Sequence, residues 1–303
     1  MRFALPATGP LRFAWTTPWE RLRRLVRAAR APDTAAAAPD PEAAVGPAAA
    51  PSPTLLRAGW EDRLWGPGYT LPGGEAEALR LAQLLPLSPA TTLLLLGRDA
   101  GGAARAIAGQ SGAWIAAHQH DPRLADRMAP LLRSFGKRAT VQPWDPAVPA
   151  FRARFHHHAL ALEPLRSGAD PAALAAALAA ALKPGGQLVL VETIAAAAAD
   201  RGLARWLALE ERAAPPPTRA GVEAALAAAG FTLHVSESLG ARQVAAATEG
   251  WTRLLAGLRD AGRPTAGPAA AALVTEAEAW LLRHRLIGSG AIAVLRWHAS
   301  LRG

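Results

Sequence analysis

Cysteine is absent from the 303-residue chain, which excludes disulfides, thiolate nucleophiles and Cys-ligated zinc or iron–sulfur centres. Long apolar runs are absent too: none approaches the roughly 18–20 residues that a membrane span requires. The stretch MRFALPATGPLRF has two prolines and no clear apolar centre, so it does not read as a secretory signal. Together these absences point to a cytoplasmic chain. Tyrosine occurs once, as Tyr69. Acidic residues are in the minority, 24 against 33 basic ones, but residues 1–30 alone hold seven Arg and one Glu. That segment carries +6 of the net +9, leaving +3 for the other 273 residues. A body so nearly balanced argues against nucleic acid as a partner.

What is present in excess is alanine, proline and arginine, a bias that blurs helix assignment. Residues 31–53, APDTAAAAPDPEAAVGPAAAPSP, read as a linker. With the basic segment before them they predict a largely disordered tail over 1–53, followed by one α/β domain over 54–303. Within the tail, WERLRRLVRAAR (19–30) also suits a short amphipathic helix with Leu22, Leu25 and Val26 on one side. Such a helix offers peripheral membrane contact or a protein-binding face. The alternative is a loosely ordered basic tail, because short isolated helices are marginal.

From Leu55 onward the pattern alternates. Strands are predicted at 92–96, 113–117, 138–142, 155–161, 187–193, 231–239 and 291–299. Helices are predicted at 76–84, 101–109, 122–133, 171–182, 218–229, 247–260 and 269–286. Apolar strands separated by helices predict a mostly parallel seven-stranded sheet with helices on both faces. The last two helices form an insertion, about 245–288, before the final strand. LWGPGYTLPGG (64–74) is too rich in glycine and proline for regular structure.

The segment TTLLLLGRDAGGAARAIA (91–108) reads as a buried strand, a glycine-containing loop and a helix start. A loop at the carboxyl end of a first strand, opening a helix, is where such sheets bind nucleotides. Gly97 permits the turn, while Gly101 and Gly102 permit close backbone approach. Strand two ends WIAAHQHDP, with Asp121-Pro122 starting a helix, and LKPGGQLVLVE precedes strand five.

Taken together these motifs resemble the class I S-adenosylmethionine-dependent methyltransferases, over about residues 60–300. The likeness is nearest to the small-molecule branch of sarcosine, phosphoethanolamine and quinone-precursor enzymes. The resemblance implies a Rossmann-like fold with strand order 3-2-1-4-5 in its first half. It also implies S-adenosylmethionine as cofactor and a small-molecule methyl acceptor. It carries cofactor contacts onto Gly97, Arg98, Asp99, Gly101, Gln119 and Asp145, the last in PWDP near the adenine amine. Gln119 stands where an acid usually takes the ribose hydroxyls. Tyr69, in the glycine-rich cover, and Glu163, after strand four, are the candidate catalytic residues that face or orient the acceptor. For Tyr69 stacking, and for Glu163 a solvated loop position, are the bland alternatives.

Four positions depart from the family pattern, all near the cofactor. Leu95 replaces an acid at the end of strand one, and Asp99 a glycine. Gln119 replaces the ribose acid, at a cost of about 1–3 kcal/mol, and His156 an Asp in FHHHALAL. Five of the eight histidines fall at 118, 120 and 156–158, without a clear third ligand on one face, so no metal site is expected. Trp114 reads as core. Two functions stay open: methyl transfer to a small molecule, or a catalytically inactive methyltransferase fold acting as a partner or regulatory subunit.

Overall fold

The computed structural model describes residues 17–30, 52–99, 101–196, 200–260 and 267–303. Three helices come first: α1 (Thr17–Arg30), α2 (Pro53–Trp65) and α3 (Gly74–Ala82). The alternating part follows as β1 (Thr92–Gly97), α4 (Gly102–Ser111), β2 (Trp114–Gln119), α5 (Pro122–Leu132), β3 (Ala139–Pro143) and β4 (His156–Leu162). Next come α6 (Pro171–Ala181), β5 (Leu182–Ala195), α7 (Leu203–Leu209), α8 (Arg219–Ala228) and β6 (Phe231–Ser238). The chain closes with α9 (Gly240–Asp260), α10 (Pro268–Ser289) and β7 (Ile292–Leu301).

Local chemistry explains the helix starts. Asp121, Asp170 and Thr218 accept from backbone N–H groups two or three residues on, and a proline opens the first turn of α5 and α6. The seven strands run in the order β3-β2-β1-β4-β5-β7-β6, and β7 alone is antiparallel to its neighbours. This is the doubly wound, mostly parallel sheet that the alternating pattern predicts, with the helical pair inserted before the last strand. Helix α9 begins at Gly240, earlier than the alanine-blurred periodicity indicates. Its buried Val244, Ala247, Trp251, Leu254 and Leu258 share one stripe.

Two cores flank the sheet. One face packs Leu93, Leu95, Ile115 and Leu160 against α2, α3, α4 and the inserted helices. The other packs Leu94, Leu96, Ala159 and Leu190 against α6 and α8.

The N-terminal segment corrects the reading of a disordered tail. Residues 17–30 form α1, with Trp19, Leu22 and Val26 buried in the first core. Trp19 stacks on His284 at 4.4 Å and donates from Nε1 to Thr248 Oγ1 at 3.1 Å. The apolar stripe offered to a membrane is therefore spent inside the protein, and only the arginine face remains outside. Tertiary packing overrides the marginal stability of an isolated short helix. The predicted linker at 31–53 lies almost wholly outside the described residues. Among those residues no helix is long and apolar enough to cross a membrane.

Candidate active site

A cleft of about 220 Å³ opens at the carboxyl ends of β1, β2 and β4. That is below the roughly 300–1,000 Å³ of common ligand pockets. Its floor is the loop after β1, and α2 roofs it through Thr54, Arg57 and Glu61. Gly97, Arg98, Asp99, Gln119 and Glu163 all line it, so five of the residues singled out from sequence converge there.

The loop is built tightly. Gly97 has φ 105°, and a Cβ on it would lie 2.7 Å from the Leu162 carbonyl carbon and closer still to the oxygen. Gly101 begins α4, and Gly102 donates to the Gly68 carbonyl at 3.0 Å, clamping the 64–74 segment onto the helix start. The Asp99 carboxylate turns onto that helix start and accepts from the N–H groups of Gly101, Ala103 and Ala104 at 3.0–3.2 Å. A built-in carboxylate thus takes the anion position that a helix N-terminus provides. Gln119 donates from Nε2 to the Asp99 carbonyl at 2.8 Å and accepts at Oε1 from Asp121 N at 3.1 Å. One N–H and one lone pair of its amide remain for a ligand.

Arg98 turns inward. It pairs with Glu61 and lies 3.6 Å from both Glu163 and Glu210. Glu163 receives hydrogen bonds from Arg283 and from Thr193 Oγ1, the latter at 2.7 Å. Arg166 pairs with Glu210, Arg57 with Glu276 at 2.7 Å, and Arg212 with Glu192 at 3.2 Å. Five arginines and five glutamates therefore form one buried network that extends from the cleft under α7 and α10.

Burial and pairing compete at each carboxyl group. Burial pushes Glu163 up, but Arg283, Arg98 and Arg212 outweigh it and hold the group well below the ordinary carboxylate range. Glu210 is likewise held low, where Arg166, Arg57 and Arg98 overcome burial. Glu192 goes the other way: burial pushes it to about 7 against the pull of Arg212, and Glu163 adds to the rise. The signs give a pH profile. Glu163 and Glu210 stabilise the fold above the ordinary value of 4.5 and lose that contribution as pH falls below it. Glu192 holds a proton in the folded chain that the unfolded chain releases, so its contribution is lost as pH rises from about 4.5 to about 7. The imidazoles act in the opposite sense: burial lowers His118, His156 and His158 to about 4, so the unfolded chain takes up their protons first and stability rises between about pH 4 and 6.5. Three groups of that sign outweigh Glu192, so stability is expected to climb from acid to about pH 6.5. Denaturant titrations across this range check it, and Glu192→Gln should steepen the climb above about pH 4.5. An unchanged slope in that variant would mean that Glu192 holds no extra proton in the fold.

The remaining sequence candidates lie elsewhere. Tyr69 is buried and is not among the residues that line the cleft, and its hydroxyl donates to Glu75 at 3.0 Å. Burial, opposed by Arg105 and reinforced by Glu75, pushes its pKa up to about 12. Asp145 is exposed and accepts from Ala147 N at 2.9 Å, an ordinary turn contact. Gly101 does not line the cleft; it packs toward Met128 and Leu131 of α5. Trp114, read from sequence as core, is 42% exposed. Among the described residues no group of His, Asp and Glu converges as a metal site.

Sequence reasoning missed Arg57, Glu61, Arg166, Glu192, Glu210, Arg212, Glu276 and Arg283. One signal was available: Glu192 interrupts the apolar run LVLVETI, where an unpaired charge is costly.

No protein-family model matches the chain, and no curated protein matches it. Solved structures do. The phosphoethanolamine N-methyltransferase 2 of Haemonchus contortus, in complex with S-adenosyl-L-methionine, has a TM-score of 0.72 at 16% identity. The match covers 83% of this chain and 58% of that one, so this chain spans less than two thirds of that protein's length. The cyclopropane synthase MmaA2 from Mycobacterium tuberculosis matches with TM-score 0.63 and 18% identity, over 82% of this chain and 98% of that one. The cyclase SpnF matches with TM-score 0.60 and 19% identity, over 82% and 92%. At these identities the likeness shows the fold: a Rossmann-like methyltransferase fold with its helical insertion before the last strand.

Proposed function

We propose that the cleft holds S-adenosylmethionine and that the chain transfers its methyl group to a small-molecule acceptor. The observation carrying this reading is the convergence of Gly97, Arg98, Asp99 and Gln119 on one cleft at the carboxyl edge of the sheet. In an open α/β sheet that edge is where ligands bind. The lining also fits the cofactor's charges. A molecule with a sulfonium, an ammonium and a carboxylate needs both signs nearby, and Arg57, Arg98 and Arg166 share the wall with Glu61 and Glu163. Gly97 lets the loop turn tightly over the Leu162 carbonyl at the cleft floor, and the free half of the Gln119 amide is available to a ribose hydroxyl.

The cofactor when bound supplies an electrophilic methyl group. The residues here supply position and dryness, which suffice for much of such a reaction. Glu163 is held ionised beside the cleft and fixes charge rather than moving a proton. Assignment to the sarcosine, phosphoethanolamine and quinone-precursor branch, and a cytoplasmic location, belong to the same proposal.

A second reading, a methyltransferase fold that binds a partner without catalysing, is favoured by Asp99. Its carboxylate already satisfies the N-terminus of α4. Calorimetric titration with S-adenosylmethionine and S-adenosylhomocysteine separates the two. Micromolar binding is expected, weakened about tenfold in Gln119→Ala and unchanged in Asp145→Ala. No heat and no competition up to millimolar cofactor would overturn the enzyme reading and leave the second.

A further inference from the structure

A second cavity, of about 460 Å³, lies at the opposite end of the sheet and shares no lining residue with the cleft. It exists because one crossover has no helix. Residues 144–155, between β3 and β4, form an irregular connection in which Pro146 and Pro149 oppose helix formation. On this face α6 and α8 cover β4 and β5. Over β1, β2 and β3, Trp144 and Phe151 of the connection reach in, but the amino-terminal half of those strands stays bare. Trp114 and Thr140 stand exposed there for that reason.

The floor of this cavity holds two buried imidazoles. His156 is 1% exposed, and neither of its ring nitrogens has a hydrogen-bond partner. His118 is also buried, with Nδ1 unpartnered and its other nitrogen engaged by the Pro143 carbonyl. Their ring contacts are edge-on to Phe155 and Phe151 and satisfy no nitrogen. Buried polar atoms in native proteins are nearly always paired, so orphaned imidazoles among the residues that line a cavity call for a polar ligand. Both imidazoles are held neutral. Burial lowers each to about 4, and for His156 its neighbours His118, Arg152 and His157 add to the fall. Neutral His156 keeps one donor and one acceptor, and His118, whose N–H is spent on the Pro143 carbonyl, keeps an acceptor at Nδ1. The rim is different: Lys137, Arg138 and Arg152 line it, and no Asp or Glu does. Arg138 lies over the Trp114 ring at 5.2 Å and Arg152 over Phe155 at 3.8 Å, which places the two guanidiniums on aromatic walls.

We infer that this cavity is a binding site for a small anionic molecule with a planar, hydrogen-bonding body, of which a nucleoside monophosphate is the simplest representative. The ring edge meets His118 and His156 at the floor, and the anionic group meets Lys137, Arg138 and Arg152 at the rim. The volume falls within the range of pockets for such molecules. The site does not depend on the cofactor reading of the cleft.

The test uses the full chain and four nucleoside 5′-monophosphates, with adenosine and inorganic phosphate as the separated halves. Binding is followed by calorimetry and by the imidazole NMR signals of His118 and His156. At least one monophosphate is expected to bind at submillimolar concentration and to shift both imidazoles. Each half alone should bind at least about tenfold more weakly. Lys137→Ala with Arg152→Ala should weaken the monophosphate by about tenfold or more while leaving adenosine unchanged. His156→Phe should abolish both, and saturating S-adenosylhomocysteine should change nothing. If none of the four binds at millimolar concentration, or if binding survives both variants, the inference is overturned. Binding only by a single-stranded oligonucleotide overturns it too, since the bare sheet would then be a macromolecular surface.

Discussion

Arg283→Ala is expected to destabilise the protein by about 3–5 kcal/mol, the range for removing one partner from a buried ion pair. Arg283 is 1% exposed and reaches Glu163, Gln243 and Thr193, with Glu210 at 3.9 Å. Truncation leaves the Glu163 carboxylate buried with Arg98, 3.6 Å away, and the more distant Arg212 as its remaining cations. The cost is that of a stranded charge, not the worth of the pair. The double variant Arg283→Met with Glu163→Gln removes both charges and should cost clearly less than the sum of the single changes. Urea denaturation of the three variants measures this. A loss below about 1 kcal/mol in Arg283→Ala would mean that water reaches the network and that its burial is overstated.

Gly97→Ala is expected to prevent accumulation of folded protein. Its φ of 105° is one that L side chains rarely adopt, and the added methyl would be driven into the Leu162 carbonyl of β4. Here β1 and β4 pair in parallel, with Gly97 opposite Leu162, so neither backbone can yield without opening the centre of the sheet. The sum of backbone strain and overlap exceeds about 4 kcal/mol, a large share of the stability of a typical domain. Gly257→Ala is the contrasting case. Gly257 is exposed in the interior of α9 with nothing within 4 Å of the new methyl, so alanine should stabilise by about 0.5–1 kcal/mol. Soluble yield and thermal melting distinguish the two. A well-folded Gly97→Ala would show that the loop has an alternative path.

The alternation of strands and helices, the two-sided layering and the inserted helices were legible in the sequence, whereas the order 3-2-1-4-5 came from the family resemblance and the seating of β7 between β5 and β6 was not read at all. Period and turn chemistry are local properties, and right-handed crossovers leave few ways to assemble them. The cleft's floor was legible for a related reason. Gly97 and Gln119 are the last residues of β1 and β2, and Arg98, Asp99 and Glu163 follow directly on strand ends, so chain direction alone brings them to one edge. That Tyr69 and Asp145 lie outside the cleft lining was not legible, because both sit in irregular segments whose course is set by what they pack on. The same holds for α1. Its marginal helical propensity says nothing of the groove between α9 and α10 that takes Trp19 and Leu22.

The ionic network marks the division most clearly. By itself the sequence determined that a loop with glycine turns meets a helix start at the carboxyl edge of a parallel sheet. Only the tertiary structure decided what fills the space above that loop. Arg57, Glu61, Glu210, Glu276 and Arg283 come from α2, the end of α7 and α10, which are separated by up to 226 residues along the chain. No local pattern couples them. They meet because each buried charge is stable only beside a partner of opposite sign, and the packing of distant helices supplies that partner.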